Sequence, residues 1–122
     1  MEAERKMGTV TVAPEVLLTI VRQTALSVDG VMRLYGKWPD NIGQLLGIET
    51  TAEGIAVQVN DSKLVVDVHI VADADAQMVQ LGRTLQDAVC RSIQDIVGLD
   101  IQAINVHIED VDTQPEPEQE VA

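Results

Sequence analysis

The sequence predicts an α+β fold, a two-layer sandwich in which two helices pack on one face of a small mixed sheet. Residues 64–71 alternate apolar and polar side chains with the period of a half-buried strand, and residues 104–108 repeat that alternation. Between these strands, apolar residues spaced by three and four positions predict a helix over residues 76–97. The predicted element order is (β)αββαβ, in which the first strand is optional.

The first thirty residues predict that optional strand and the first helix. Residues 9–12 alternate like a short edge strand. Pro14 at the first helical position and Glu15 in the first turn then mark the start of a helix that continues to residue 28. If residues 9–12 pair fully with the sheet, the order admits a ferredoxin-like arrangement as an alternative, and the pattern leaves the strand order open.

Residues 31–53 predict an irregular connector, because glycine and proline recur too often for any long element. The connector contains the only two aromatic residues of the chain and two cations, Arg33 and Lys37, which offer positive charge to an acidic neighbour. Exposed aromatic side chains beside aliphatic ones are typical of a protein-binding surface, whereas the alternative is that they cover an open end of the core. The candidate interaction residues are Tyr35, Trp38, Ile42, Leu45 and Leu46.

The second half of the chain completes the sheet. Ile55, Val57 and Val59 alternate, and a polar turn at residues 60–62 leads into the strand 64–71, which indicates a hairpin. Gly98 follows the last apolar turn of the second helix, where a left-handed residue is usually glycine. We therefore expect one domain over residues 8–111, a flexible N-terminus over residues 1–7 and a disordered, acidic tail over residues 112–122.

Composition limits the possible partners. The net charge is −12, and an acidic protein is repelled by phosphate backbones and anionic lipid headgroups, so we expect no nucleic acid partner and no direct membrane insertion. The sequence has no apolar run near 18 residues and no basic leader before an apolar region, which favours a cytoplasmic protein. Any membrane association would then depend on another protein.

Two histidines are the candidates for chemistry. His69 and His107 share the polar faces of their strands with Asp67 and Glu109, so two imidazoles and two carboxylates could converge if the strands were neighbours in register. Such a group would suit zinc, and it supports the alternative of a small-ligand or metal-binding enzyme-like domain that uses His69 and His107. Imidazoles on a wet sheet face need no ligand, however, and the sequence shows neither a phosphate loop nor a nucleophile with a partner base. We therefore expect no catalytic residue, no cofactor and no metal.

The order and spacing of these motifs resemble the alkaline shock protein family, the cell-envelope stress proteins of Gram-positive bacteria. The resemblance covers residues 8–111 and is carried by Ala13-Pro14-Glu15-Val16, Val28-Asp29-Gly30-Val31, Gly43-Gln44-Leu45-Leu46-Gly47, Leu85-Gln86-Asp87-Ala88-Val89 and Ile104-Asn105-Val106-His107-Ile108. Val97 stands where the family often has threonine, and residues 72–76 replace a more usual acidic-Tyr-Gly segment. The resemblance implies a non-enzymatic, self-associating cytoplasmic protein, held at the inner face of the membrane in some members by a membrane-anchored partner. It supplies no catalytic residues.

Overall fold

The computed structural model describes residues 2–5, 7–36, 50–60 and 62–113. The second helix continues into a π-helical turn, Ile93–Val97. In chain order the elements are β1 (Glu2–Arg5), β2 (Gly8–Thr11), α1 (Pro14–Leu26), β3 (Val31–Leu34), β4 (Thr50–Ala52), β5 (Ile55–Asn60), β6 (Lys63–Asp73), α2 (Met78–Ser92) and β7 (Asp100–Asp112). The predicted α+β class is confirmed.

Strand β6 is the centre of the main sheet. On one side it pairs in parallel with β7 along its whole length. On the other side two strands share its edge, because β5 pairs antiparallel with residues 63–68 and β3 pairs antiparallel with residues 70–72. Strand β4 extends the sheet beyond β5. The sheet is therefore mixed, as the sequence predicted.

The two strands that share the edge of β6 meet at a single residue, His69. The His69 amide donates to the Gly54 carbonyl at 2.7 Å, and the His69 carbonyl accepts from the Tyr35 amide at 2.8 Å. Gly54 has a φ of 75°, and a Cβ at this position would lie 3.0 Å from the carbonyl oxygens of both His69 and Tyr35. Only glycine combines this left-handed conformation with the absence of a side chain, so the junction requires it.

Both helices pack on the same face of the sheet. Alternate residues of β6 are buried against them, which confirms the predicted half-buried strand. The helices contribute residues at the three- and four-residue spacing of an amphipathic helix. The core residues from β6, α1 and α2 with its π-helical turn are Leu64, Val66, Val68, Ile70, Ala72, Leu17, Leu18, Val21, Ala25, Leu81, Leu85, Val89 and Ile93.

The helix ends largely follow the sequence signals. Helix α1 begins at Pro14, as predicted, and ends at Leu26 rather than at residue 28. The Ser27 hydroxyl, just beyond this end, donates to the Thr24 carbonyl at 2.7 Å. The predicted second helix begins at Met78 rather than at residue 76. It ends at Gly98, whose φ is 83° and whose amide donates to the Ile93 carbonyl at 2.9 Å, which confirms the predicted left-handed end.

The structure differs from the sequence prediction at both ends of the connector and at the N-terminus. Two short strands, β3 and β4, lie within residues 31–53, for which we predicted an irregular connector without a long element, and they are too short to show a period. The optional strand is Gly8–Thr11, and it pairs with β1 in a separate two-stranded sheet. Within the described residues, the ferredoxin-like alternative is therefore wrong, because it needs this strand in the main sheet. The domain boundaries and the disordered tail stay predictions.

The point where β5 and β3 meet at His69 leads to a prediction about stability, which compares two left-handed glycines, Gly54 at this point and Gly98 away from it. We expect Gly98→Ala to lower the free energy of unfolding by about 1–2 kcal/mol, the penalty for a left-handed residue, because nothing lies within 4 Å of the added Cβ. Gly54→Ala incurs the same penalty and also crowds two backbone oxygens, so its loss should reach on the order of 3 kcal/mol or more. Urea unfolding followed by circular dichroism measures both values. Equal losses at the two positions would show that the junction relaxes to accept a side chain.

Candidate functional site

The face of β6 that points away from the helices meets polar residues of β7. Because the two strands are parallel and in register, His69 lies opposite His107 and Asp67 lies opposite Asn105. The condition stated from the sequence, neighbouring strands in register, is therefore met. Together with Glu109, these residues form a histidine-carboxylate cluster on the sheet face, consisting of Asp67, His69, Asn105, His107 and Glu109.

The cluster is held by crossed contacts between the strands. The two imidazole rings stack with their centroids 4.4 Å apart and their planes 13° from parallel. His69 Nδ1 of β6 lies 2.6 Å from Glu109 Oε2 of β7, and His107 Nε2 of β7 lies 3.1 Å from Asp67 Oδ1 of β6. Asn105 Nδ2 also donates to Asp67 Oδ1 at 3.1 Å. Each strand thus supplies one imidazole and one carboxylate.

Glu109 reaches His69 through an irregularity in β7. In a regular register Glu109 would lie opposite Val71, but the register shifts after Ile108, and Asp110 lies there instead. A bulge of this kind inserts one residue and changes the direction in which its side chain points. The sequence placed Glu109 on the correct face, but only the structure shows the bulge that pairs it with His69.

The composition of the cluster limits what it can do. Among the described residues, no group of three or more His, Cys, Asp or Glu is arranged to hold a metal ion. The cluster also contains no hydroxyl or thiol. Its contacts therefore support pairing of β6 with β7, and such partly exposed pairs contribute at most about 1 kcal/mol each.

The structure places one of the five candidate interaction residues. Tyr35 is half-buried at the end of β3, and its amide is bonded to His69. Trp38, Ile42, Leu45 and Leu46 lie outside the described residues. Gly54, in the turn between β4 and β5, is bonded to the same residue of β6, so the end of β3 and the β4–β5 turn meet directly beside the histidine-carboxylate cluster.

Arg33 makes a contact that the sequence did not indicate. Its Nη1 donates to Asp112 Oδ2 at 2.8 Å, which links β3 to β7 on the two sides of β6. The hydrogen bond from Arg33 lowers the pKa of the Asp112 carboxyl below its ordinary value. The two residues are 79 positions apart, so no local pattern could have revealed the pair.

The chain is a small α+β domain in which a pair of stacked histidines joins two parallel strands. Residues 2–113 match the alkaline shock protein 23 family, which is described as having a cell envelope-related function. The chain belongs to this family, and the resemblance seen in the sequence is confirmed. In the part of the chain that the structure describes, no helix is long and apolar enough to cross a membrane.

Two curated relatives illustrate the similarity. The uncharacterized protein YqhY of Bacillus subtilis strain 168 is 26% identical over 102 residues, which cover 84% of this chain and 76% of that protein. A stress response regulator gls24 homolog of Streptococcus pyogenes serotype M3 is 25% identical over 114 residues, which cover 93% of this chain and 64% of that protein. The chain thus spans less than two thirds of the streptococcal relative. No solved structure shows a significant match.

The histidine-carboxylate cluster generates a prediction about metal. We expect that zinc does not bind the native chain stoichiometrically with a dissociation constant below about 1 μM, an affinity worth about 8 kcal/mol, because no group of three or more potential ligands among the described residues is arranged to hold a metal ion. Titration calorimetry on tag-free protein measures this directly. A tighter site that disappears in the His69→Ala and His107→Ala variants would contradict the expectation and favour the enzyme-like alternative.

Proposed function

We propose that this chain is a non-enzymatic scaffold protein of the cell-envelope stress response, which self-associates and binds a protein partner at the cytoplasmic face of the membrane. The family's cell envelope-related function supports the cellular role. A streptococcal relative is named as a stress response regulator, which supports the link to stress. The partner at the membrane is a membrane-anchored protein, because the acidic chain is repelled by anionic lipid headgroups.

The observation that carries the proposal is the anchoring of the connector. Its first end is held by β3 and by the bond from the Tyr35 amide to His69, and its second end is held by β4, which pairs with β5. A loop that is fixed at its base loses less conformational entropy when a partner binds, so more of the contact energy appears as affinity. The only aromatic residues of the chain, Tyr35 and Trp38, lie in this loop, and aromatic side chains contribute most per residue to protein interfaces.

Charge favours the connector as a surface for self-association or for a partner. Two copies that each carry a net charge of −12 repel one another unless the contact buries apolar area. The connector contributes Ile42, Leu45 and Leu46 beside its aromatic pair. Of its two cations, Arg33 is already bonded to Asp112 of the same chain, so the positive charge offered to a neighbour depends on Lys37.

The enzyme-like alternative has one observation in its favour, the convergence of His69 and His107 with two carboxylates. Against it, no group of three or more potential metal ligands is arranged to hold an ion among the described residues, and the cluster includes no hydroxyl or thiol nucleophile. A cluster that joins two strands needs no substrate to explain it. We therefore propose a structural role for the cluster and an interaction role for the connector.

Removing the connector's largest aromatic side chain tests the proposal. We expect Trp38→Ala to shift the sedimentation coefficient toward the monomer while circular dichroism and the melting temperature stay nearly unchanged, because an interface residue contributes little to the fold of one copy. A membrane protein captured from the native cell by the wild-type chain should likewise be lost with this variant.

The control is Ile96→Ala, which removes another apolar side chain, 67% exposed and outside the connector. This variant should associate like the wild type. If Trp38→Ala unfolds the protein, Trp38 covers the core and the alternative stated from the sequence is correct. If Trp38→Ala stays folded and associates as before, the connector is not the self-association surface.

A further inference from the structure

The N-terminal hairpin stands apart from the rest of the fold. Strands β1 and β2 pair only with each other, and no other element of the described chain packs extensively against them. All four residues of β2 are exposed, Val10 at 69%, and Met7 of the turn is 93% exposed. An isolated two-stranded hairpin is at best marginally stable in water, so this one lacks the support that a third strand would give.

The main sheet also has an edge strand, β7, with no described strand on its outer side. Among the described strands, β7 pairs with β6 alone, although it is thirteen residues long. An open groove of about 260 Å³ runs between this strand and α2. Most of its lining is apolar, and its floor is open because residue 82 is glycine; the apolar and glycine residues are Met78, Val79, Gly82, Val106 and Ile108.

We infer that the hairpin of one copy adds to the open edge of β7 in a second copy, with Val10 seated in the groove beside α2. Addition of a strand to an exposed sheet edge satisfies backbone groups on both sides, and an alternating side chain that enters a pocket gives specificity. The inference rests on the self-association proposed above, but it does not depend on the connector.

Charge favours the N-terminal hairpin over the C-terminal tail as the segment that binds the edge of β7. Strand β7 contains Asp100, Glu109, Asp110 and Asp112 and no lysine or arginine, so an acidic segment is repelled from its edge. The C-terminal tail is such a segment, since residues 114–120 contain three glutamates and no base. Residues 2–11 contain two acids and two bases, so the hairpin approaches β7 without net charge.

The two surfaces also determine the form of the assembly. The hairpin and the β7 groove are different surfaces of one chain, so the contact between copies is heterologous. A heterologous contact that does not close into a ring adds copies one after another. Each copy gives its hairpin to the next copy and receives the hairpin of the previous one, and the assembly grows as an open chain.

Two variants of the full chain test the hairpin and the β7 groove separately. Val10→Asp places a charge on the exposed face of the hairpin, and Gly82→Lys fills the groove, where a Cβ meets only Val106 at 4.0 Å. Each variant alone should associate at least about tenfold more weakly than the wild type in sedimentation velocity, because each has lost one of the two surfaces. An equimolar mixture should form a 1:1 heterodimer that does not grow, since each variant keeps the surface that the other lacks.

Matched controls lie outside both surfaces. Val59→Asp places the same charge on another exposed strand valine, and Thr84→Lys adds the same lysine to the exposed side of α2, so both should associate like the wild type. Circular dichroism melting confirms that each variant folds. The inference is overturned if the folded single variants associate as the wild type does, if the mixture stays monomeric, or if the wild type stops at a closed dimer. If Trp38→Ala loses association while Val10→Asp and Gly82→Lys keep it, the connector joins the copies and the hairpin contact is overturned. If Val10→Asp and Gly82→Lys lose association while Trp38→Ala keeps it, the hairpin contact is supported and the connector does not join the copies.

Discussion

The fold depends on the hydrogen bonding of β6 along both of its edges. A strand in the middle of a buried sheet cannot leave its backbone groups unpaired, because each unmade bond would cost roughly 1–3 kcal/mol. Strand β7 satisfies one edge, whereas β5 and β3 divide the other at His69. The same residue carries the ring that stacks on His107, so the backbone junction and the histidine-carboxylate cluster are two consequences of one position in the chain.

Local periodicity predicted the elements that are long enough to show a period. The alternation over residues 64–71 and the helical spacing over residues 76–97 correspond to β6 and to α2 with its π-helical turn. Strands β3 and β4 have four and three residues, and they are strands because neighbouring strands offer them an unpaired edge, which no local pattern encodes. The alternation within residues 8–11 predicts a strand but does not determine which strand it pairs with. It pairs with β1 rather than with the main sheet.

The candidate site was predictable in composition and unpredictable in geometry. The polar faces of the two strands identified Asp67, His69, His107 and Glu109, but their convergence required a parallel register that depends on how α2 crosses between the strands. The structure then shows imidazoles that are engaged with carboxylates. This arrangement fits the structural role that we propose for the cluster. The connector, the N-terminal hairpin and the edge of β7 are the surfaces that we propose for association.

Amide hydrogen exchange at His69 tests the central claim most directly, because this amide is bonded to Gly54 at the point where β5 and β3 meet. If β6 is paired along both edges, the His69 amide exchanges only through global unfolding, as slowly as the buried amides of Val66 and Val68. The Tyr35 amide, bonded to the carbonyl of the same residue, should share that protection. Rapid exchange at His69 and Tyr35 beside a protected β6 would show that the junction is open and would contradict the account.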